Sequence, residues 1–391
     1  MELTISTPRL AAARILPRTP RAFYRTAINA FFFVMGMVFA SWAVRIPDIK
    51  AALQMSDAAL GSVLLAAPLG EMLSIAPTAW LIGRFRSRRV IMLGLMLMPC
   101  ALLSLALAGS PHWLAAALLG FGFANNMLNI SLNAQAVGVE TLYGRSIMAT
   151  FHGMWSLGGV AGCIIGSIVA PLGVAPLPHF AAILVITLAT LCCLRTWTMP
   201  REVRIGAAAP ESGKRSFRPD LYLTLLGCIA LGSMATEGAM YDWSSVYFAQ
   251  VVQPGESLIR AGYLACMCAM VTGRLLATPV LQLSGLCIAA GLSLALLWPD
   301  LLPATAGLAL VGFGMASVVP LCYSLAGKST RVPPSVAISL VSSLSFLGFL
   351  GCPPMVGFLS HQFDLRWALS PIVVVGVAIF CLAPLVRRIK A

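Results

Sequence analysis

Apolar residues dominate the chain in long runs separated by short joints of polar, glycine or proline residues. Runs of this kind predict helices near 26–44, 59–82, 90–109, 113–137, 147–170, 179–198, 220–244, 261–280, 283–298, 303–326, 335–359 and 367–386. Each is of the order needed to cross a hydrocarbon layer about 30 Å thick. Lipid offers no hydrogen bonds to a bare backbone, so each run has to be a helix, and the alternating pattern of a membrane barrel is absent. The pair 261–280 and 283–298 is the least regular, because almost nothing polar divides it.

Composition agrees with this pattern. Hydrophobic residues make up 59% of the 391 and charged residues only 10%, far below the quarter or so usual in water-soluble domains. The first 25 residues carry Arg9, Arg14, Arg18, Arg21 and Arg25 with no apolar core between them, so they read as a retained tail rather than a cleaved signal.

The net charge of +13 is distributed by side. With twelve spans, all but four of the 26 basic residues fall on one side, the exceptions being Arg45, Lys50, Arg260 and Arg366. Basic residues near span ends mark the cytoplasmic side, so both termini are expected in the cytoplasm. The charge therefore reflects topology, and no basic face of a soluble domain suggests nucleic-acid binding.

All eleven cysteines lie in predicted spans without CxxC spacing or a histidine cluster, so neither a metal site nor a cofactor is expected. No GxSxG, HExxH, Walker A or dinucleotide motif occurs, which argues against an enzyme. The long polar interruption at 199–219 separates six spans from six. The expected organisation is a tail at 1–25, a six-helix half at 26–198, a cytoplasmic linker at 199–219 and a second half at 220–391.

Several segments carry a family resemblance over nearly all of residues 26–386. They include Ala40-Ser41-Trp42-Ala43-Val44-Arg45-Ile46-Pro47, Asn133-Ala134-Gln135-Ala136-Val137-Gly138-Val139-Glu140 and His152-Gly153-Met154-Trp155-Ser156-Leu157-Gly158-Gly159. Glu237-Gly238-Ala239-Met240-Tyr241-Asp242-Trp243 and Gly351-Cys352-Pro353-Pro354 extend it. Together they resemble the major facilitator superfamily and, within it, the YbjJ-like inner-membrane proteins, distantly similar to fucose–proton symporters. The resemblance implies an all-α membrane protein of two pseudo-symmetric six-helix halves that rock around a central site, giving it alternating access to the two sides.

Ionisable groups inside a membrane are costly and rare, which makes each a functional candidate. Glu71, midway along the second span, and Glu237, in the outer half of the seventh, are candidates for proton coupling, because a carboxyl group in a low-dielectric site can load and release a proton. A structural pairing with a nearby arginine or hydroxyl is the alternative. Ser233, Glu237, Tyr241 and Ser244 share one helical face. Asn125, Asn129 and Asn133 stack at four-residue intervals with Asn126 beside them, able to bind solute hydroxyls or to tie helices together. The resembled family usually has an acid where this chain has Asn129, which places coupling on Glu71 or Glu237 or makes the protein a facilitator. His152 is a possible proton relay, or bonds a backbone carbonyl; Trp155 follows it on the fifth span, where Gly158, Gly162 and Gly166 suit close helix packing.

Gly83-Arg84-Phe85-Arg86-Ser87-Arg88-Arg89 resembles the superfamily's cytoplasmic gating motif, with Arg84, Arg88 and Arg89 retained and Gly83 in place of the usual acid. In the second half only Gly273-Arg274-Leu275-Leu276 echoes it, and the joint that follows is shorter than the resemblance implies. Arg45 and Asp242, at the other membrane face, are expected to pair as an external gate, with independent solvated charges as the alternative.

The reading is a multi-pass inner-membrane secondary transporter, monomeric in the lipid bilayer, moving a small polar, sugar-like molecule with protons. The alternatives are a drug or metabolite exporter and a non-transporting membrane sensor or scaffold.

Overall fold

The computed structural model describes residues 20–144, 147–200, 221–276, 280–329, 332 and 334–390. Most of the expected linker and the N-terminal tail lie outside the described residues. Among the described residues every regular element is a helix.

The first six helical units are α1 (Pro20–Ala52), α2 (Asp57–Phe85), α3 (Ser87–Ala106), α4 (Pro111–Tyr143), α5 (Met148–Val169) and α6 (Pro176–Trp197). They are followed by α7 (Leu221–Val252), α8 (Glu256–Leu276), α9 (Leu281–Leu297), α10 (Leu301–Ala326), α11 (Val336–Phe363) and α12 (Leu365–Ile389). Eleven are long and apolar enough to cross a membrane, and α9, with 17 residues, is a shorter apolar helix.

Several units bend at identifiable places. α1 breaks at Val44 and Arg45 before Pro47, α2 at Leu65, and α10 at Ala316 and Ser317. The α4–α5 corner is closed by Gly144, whose φ of +63° suits a residue without a Cβ. There the Glu140 carboxylate accepts from the backbone N–H groups of Ile147 (2.7 Å) and Met148 (2.8 Å), satisfying donors that the start of α5 leaves free.

Packing follows a repeated scheme. α1 packs on α5, α2 on α4, and α3 on α4 and α6; six places further on, α7 packs on α11, α8 on α10, and α9 on α10 and α12. Two further contacts, α2 with α11 and α5 with α8, join the sets, and they too exchange under the same shift. Glycine allows the closest of these approaches. A Cβ on Gly158 would collide with the Phe33 carbonyl and one on Gly36 with the Trp155 carbonyl, so the α1–α5 contact is backbone against backbone, as the glycine spacing predicts.

The uncertain eighth and ninth helices form. α8 ends at Leu276, short of the expected 280, and the three residues 277–279 lie outside the described set. Gly262 and Gly273 of α8 abut Leu308 and Phe313, whereas Ser284 and Gly291 of α9 abut Gly314 and Gly307. α8 thus runs alongside α10 and α9 runs back against it. The curtailed joint still permits the return.

Candidate functional site

Polar side chains gather in two clusters, one of them at the middle of α7. Glu237 lies midway along that helix rather than in its outer half, and its carboxylate accepts a 2.5 Å bond from the Tyr241 hydroxyl one turn later. Arg274 of α8 lies 3.6 Å from the same oxygen and donates at 2.5 Å to the Ser156 hydroxyl of α5. Its guanidinium also stands 6.0 Å from the centroid of the Trp155 ring. Phe39 of α1 completes an aromatic wall, 6.0 Å from Trp155 and 5.3 Å from Tyr241. His152 opens α5 nearby, exposed, with its ring 5.4 Å from Phe32.

Arg274, expected at a cytoplasmic gate, is instead part of this centre. Helical side chains lean toward the N-terminus, so an arginine in the last turn of α8 reaches back into the bundle and meets the Glu237 carboxylate. Of the predicted face on α7, Tyr241 joins Glu237. Ser244 turns its hydroxyl to the Met240 carbonyl, and Ser233 is fully buried with no hydrogen-bond partner among the described residues.

The second cluster lies on α2 and α4. Glu71 of α2 accepts a 2.8 Å bond from the Asn125 amide of α4, while Asn126 donates at 2.8 Å to both the Glu71 carbonyl and the Ser74 hydroxyl. Asn125 and Asn126 therefore tie α2 to α4. Asn133 donates to Asn129, at 2.8 Å to its side-chain oxygen and 2.9 Å to its carbonyl. Asp242 lies within electrostatic reach of Glu71, and neither carboxylate has a basic partner among the described residues.

The expected Arg45–Asp242 gate does not form. The break in α1 turns Arg45 toward α6, where it donates to His179 Nδ1 at 3.2 Å and to the Val174 carbonyl at 2.8 Å. Its ion partner is Asp48, three residues on, at 2.8 Å. Asp48 also receives Arg260 of α8 through two 2.8 Å bonds, and Arg260 Nε donates to the Val44 carbonyl at 3.0 Å. Beside this, Asp57 at the start of α2 accepts from Lys50, from the Ser360 hydroxyl of α11 and from Gln250 at 3.3 Å. One end of the bundle is thus fastened across its two helix sets by Asp48 and Asp57.

Those two acids were missed in the sequence because charges at span ends look topogenic. A signal existed: the four basic residues on the poorly charged side are all used. Arg45, Lys50 and Arg260 pair with these acids, and Arg366 donates to the Leu296 (2.6 Å) and Leu297 (3.1 Å) carbonyls that end α9. At the opposite end Arg88 donates to the Arg195 carbonyl at 3.2 Å, Arg86 donates to that of Pro200 at 3.1 Å, and Arg84 lies over Phe85. Arg89 is exposed.

Long apolar helices arranged around half-buried acids define a multi-pass membrane protein. A sequence profile of the Major Facilitator Superfamily matches residues 26–336. An uncharacterised MFS-type transporter of Yersinia pestis is 30% identical over 366 residues, covering 91% of this chain and 94% of its own. Membrane protein MosC of Rhizobium meliloti is 31% identical over 368 residues, covering 91% and 88%. The chain belongs to the Major Facilitator Superfamily. Its fold matches, with a TM-score of 0.75 at 16% identity, the crystal structure of a bacterial homologue of the human lysosomal transporter Spinster in an inward-facing, occupied conformation, covering 95% of this chain and 98% of that one.

Proposed function

We propose that the protein is a secondary active transporter that carries a small polar solute across the inner membrane by alternating access. In this reading α9 counts as a twelfth span, helices α1–α6 and α7–α12 are two pseudo-symmetric halves, and both termini are cytoplasmic. The repeated packing scheme and the sidedness of basic residues support it. The fastened end, at Asp48 and Asp57, is then the periplasmic gate in its closed state.

The observation that carries the reading is the Glu237–Arg274 pair with its links to Tyr241 and Ser156. It joins α7 and α8 of one half to α5 of the other at mid-bundle, where a solute held by both halves has to sit. A half-buried ion pair held to a tyrosine can exchange its internal bonds for bonds to solute hydroxyls, and a proton arriving on Glu237 frees Arg274. Glu71 and Glu237 are the coupling carboxylates, with His152 as a relay. Trp155 and Tyr241 supply the flat faces on which a sugar-like ring stacks, and Asn129 and Asn133 offer amides.

The test is uptake into proteoliposomes, with and without an imposed pH gradient, over a panel of sugars, organic acids and cationic dyes, repeated with Glu71→Gln and Glu237→Gln. Gradient-driven uptake lost in at least one variant is expected. Saturable flux that ignores the gradient and both substitutions would remove proton coupling from the reading.

A further inference from the structure

Arg274 is only partly engaged where it stands. Its Nη1 donates to the Ser156 hydroxyl at 2.5 Å, and that hydroxyl donates in turn to the His152 carbonyl at 3.1 Å, so Ser156 turns a lone pair to the guanidinium and holds one corner of it. Its Nη2 lies 3.6 Å from Glu237 Oε1, close enough for charge attraction but too long for a hydrogen bond. Nε and Nη2 donate to no acceptor among the described residues, and 24% of the side chain is open.

Glu237 has a second means of support. Its Oε1 accepts the Tyr241 hydroxyl at 2.5 Å, and a neutral carboxyl group can keep that bond on its carbonyl oxygen while carrying a proton on Oε2, which has no partner among the described residues. Protonation therefore leaves Glu237 in place and takes away the counter-charge of Arg274.

Charge balance then selects the solute. With Glu237 ionised the pair is neutral; with Glu237 protonated it carries one positive charge on a largely buried guanidinium, and an uncompensated buried charge is costly. A monoanion restores neutrality. A neutral sugar leaves the arginine uncompensated and so gives proton and solute no reason to travel together. A cation is opposed by Arg274, and a dianion exceeds the one charge released. The Nε and Nη2 edge is also a two-pronged donor that matches the two oxygens of a planar carboxylate. The Trp155 ring, its centroid 6.0 Å from Arg274 Cζ, offers a flat face beside the guanidinium for the carbon skeleton.

We propose that Arg274 binds a carboxylate of the solute through Nε and Nη2 while Glu237 holds the accompanying proton. The transported class is then a polar monocarboxylate, a sugar acid or hydroxy acid, moved with one proton and no net charge. This rests on the transporter reading above and narrows its substrate. Glu237 and the solute alternate as counter-ion of one arginine: a proton passes from water to Glu237 Oε2, Arg274 keeps its bond to Ser156, and the carboxylate takes the place that Glu237 gives up.

The test uses the full-length protein in nanodiscs and matched solutes that differ only in the acid, with glucuronate, glucuronamide and glucose as one set and glycerate and glycerol as another. Thermal stabilisation and direct binding are expected for the carboxylates and not for their neutral partners. Affinity should rise severalfold on acidification within the range where the solute itself stays ionised. Glu237→Gln, which copies the protonated carboxyl group, should bind the carboxylate with that pH dependence gone. Arg274→Gln should weaken binding by roughly tenfold or more. Arg274→Lys, which keeps the charge but loses the fork, should recover only part of the loss, and it stands in if the glutamine variant does not fold. Four outcomes overturn the proposal: no carboxylate binds, the neutral partners bind as well as the acids, carboxylate affinity ignores both Arg274 variants, or Glu237→Gln abolishes binding. Counterflow of the bound acid separates this from the transporter reading. Binding that needs Arg274 without any counterflow contradicts transport and not the carboxylate site, whereas counterflow of a neutral sugar alone contradicts the site and not transport.

Discussion

Arg260 of α8 holds Asp48 of α1 through two 2.8 Å hydrogen bonds, and the arginine is 2% exposed, so a buried guanidinium spans from one set of helices to the other at the fastened end of the bundle. Breaking such a pair from one side leaves an unpaired charge, at a cost of about 3 kcal/mol. Arg260→Ala should therefore open this end. Labelling of a cysteine placed at Ile49, which is buried at this end, by a membrane-impermeant maleimide should rise severalfold in the variant, and Asp48→Arg combined with Arg260→Asp should reverse part of the increase. Unchanged labelling would mean that Asp57 alone closes the end.

Glu237→Gln should reduce flux at least tenfold, since it removes the only ion partner described for Arg274. Tyr241→Phe deletes a single short hydrogen bond to the carboxylate and should cost about tenfold or less. If the tyrosine change is the more damaging of the two, the ring rather than the ion pair is the essential contact. Initial rates in proteoliposomes at matched reconstitution levels decide it.

Gly158→Leu should destabilise the protein more than substitutions of lipid-facing residues. Even a Cβ there overlaps the Phe33 carbonyl, and overpacking typically costs about 1–3 kcal/mol. The apparent Tm in detergent should drop by several degrees, whereas Gly153→Ala, which meets open space, should leave it within error.

A C-terminal green fluorescent protein fusion should fluoresce and a C-terminal alkaline phosphatase fusion should be inactive, because the twelve-span reading puts that terminus in the cytoplasm. A fusion after Trp298, at the far end of α9, should show the reverse. Identical signals at both places would mean that α9 does not cross.

The helices are legible because length and apolarity alone decide whether a segment can cross lipid, and the glycine spacing on α5 announces a close helix contact, though not that its partner is α1. Pairings were harder. Membrane face and the resembled fold together suggest Arg45 with Asp242, but the break at Val44 and Arg45 turns the side chain toward His179, and Asp48 lies three residues away. Arg274 was placed by position along α8, although its long stem carries the charge back to Glu237. Asn125 and Asn126 were recognised as a polar face, but nothing in their spacing says that their first partners are Glu71 and Ser74. Sequence periodicity reports which face a residue occupies; the choice among partners depends on helix breaks and on reach.

The 17 residues of α9 rise about 25 Å, less than a typical hydrocarbon core of about 30 Å. It bears Leu283, Leu286 and Leu297 as exposed apolar side chains, with Trp298 just past its end, so on the twelve-span reading the neighbours along that side are acyl chains. A helix this short is matched by standing upright or by drawing the two leaflets together beside it, each at a modest energetic cost. Because α9 packs on α10 and α12, that cost is shared with those two helices. On the alternating-access reading proposed above, membrane thickness then becomes a physical variable of the transport cycle, with shorter-chain lipids favouring the orientation in which α9 is best covered.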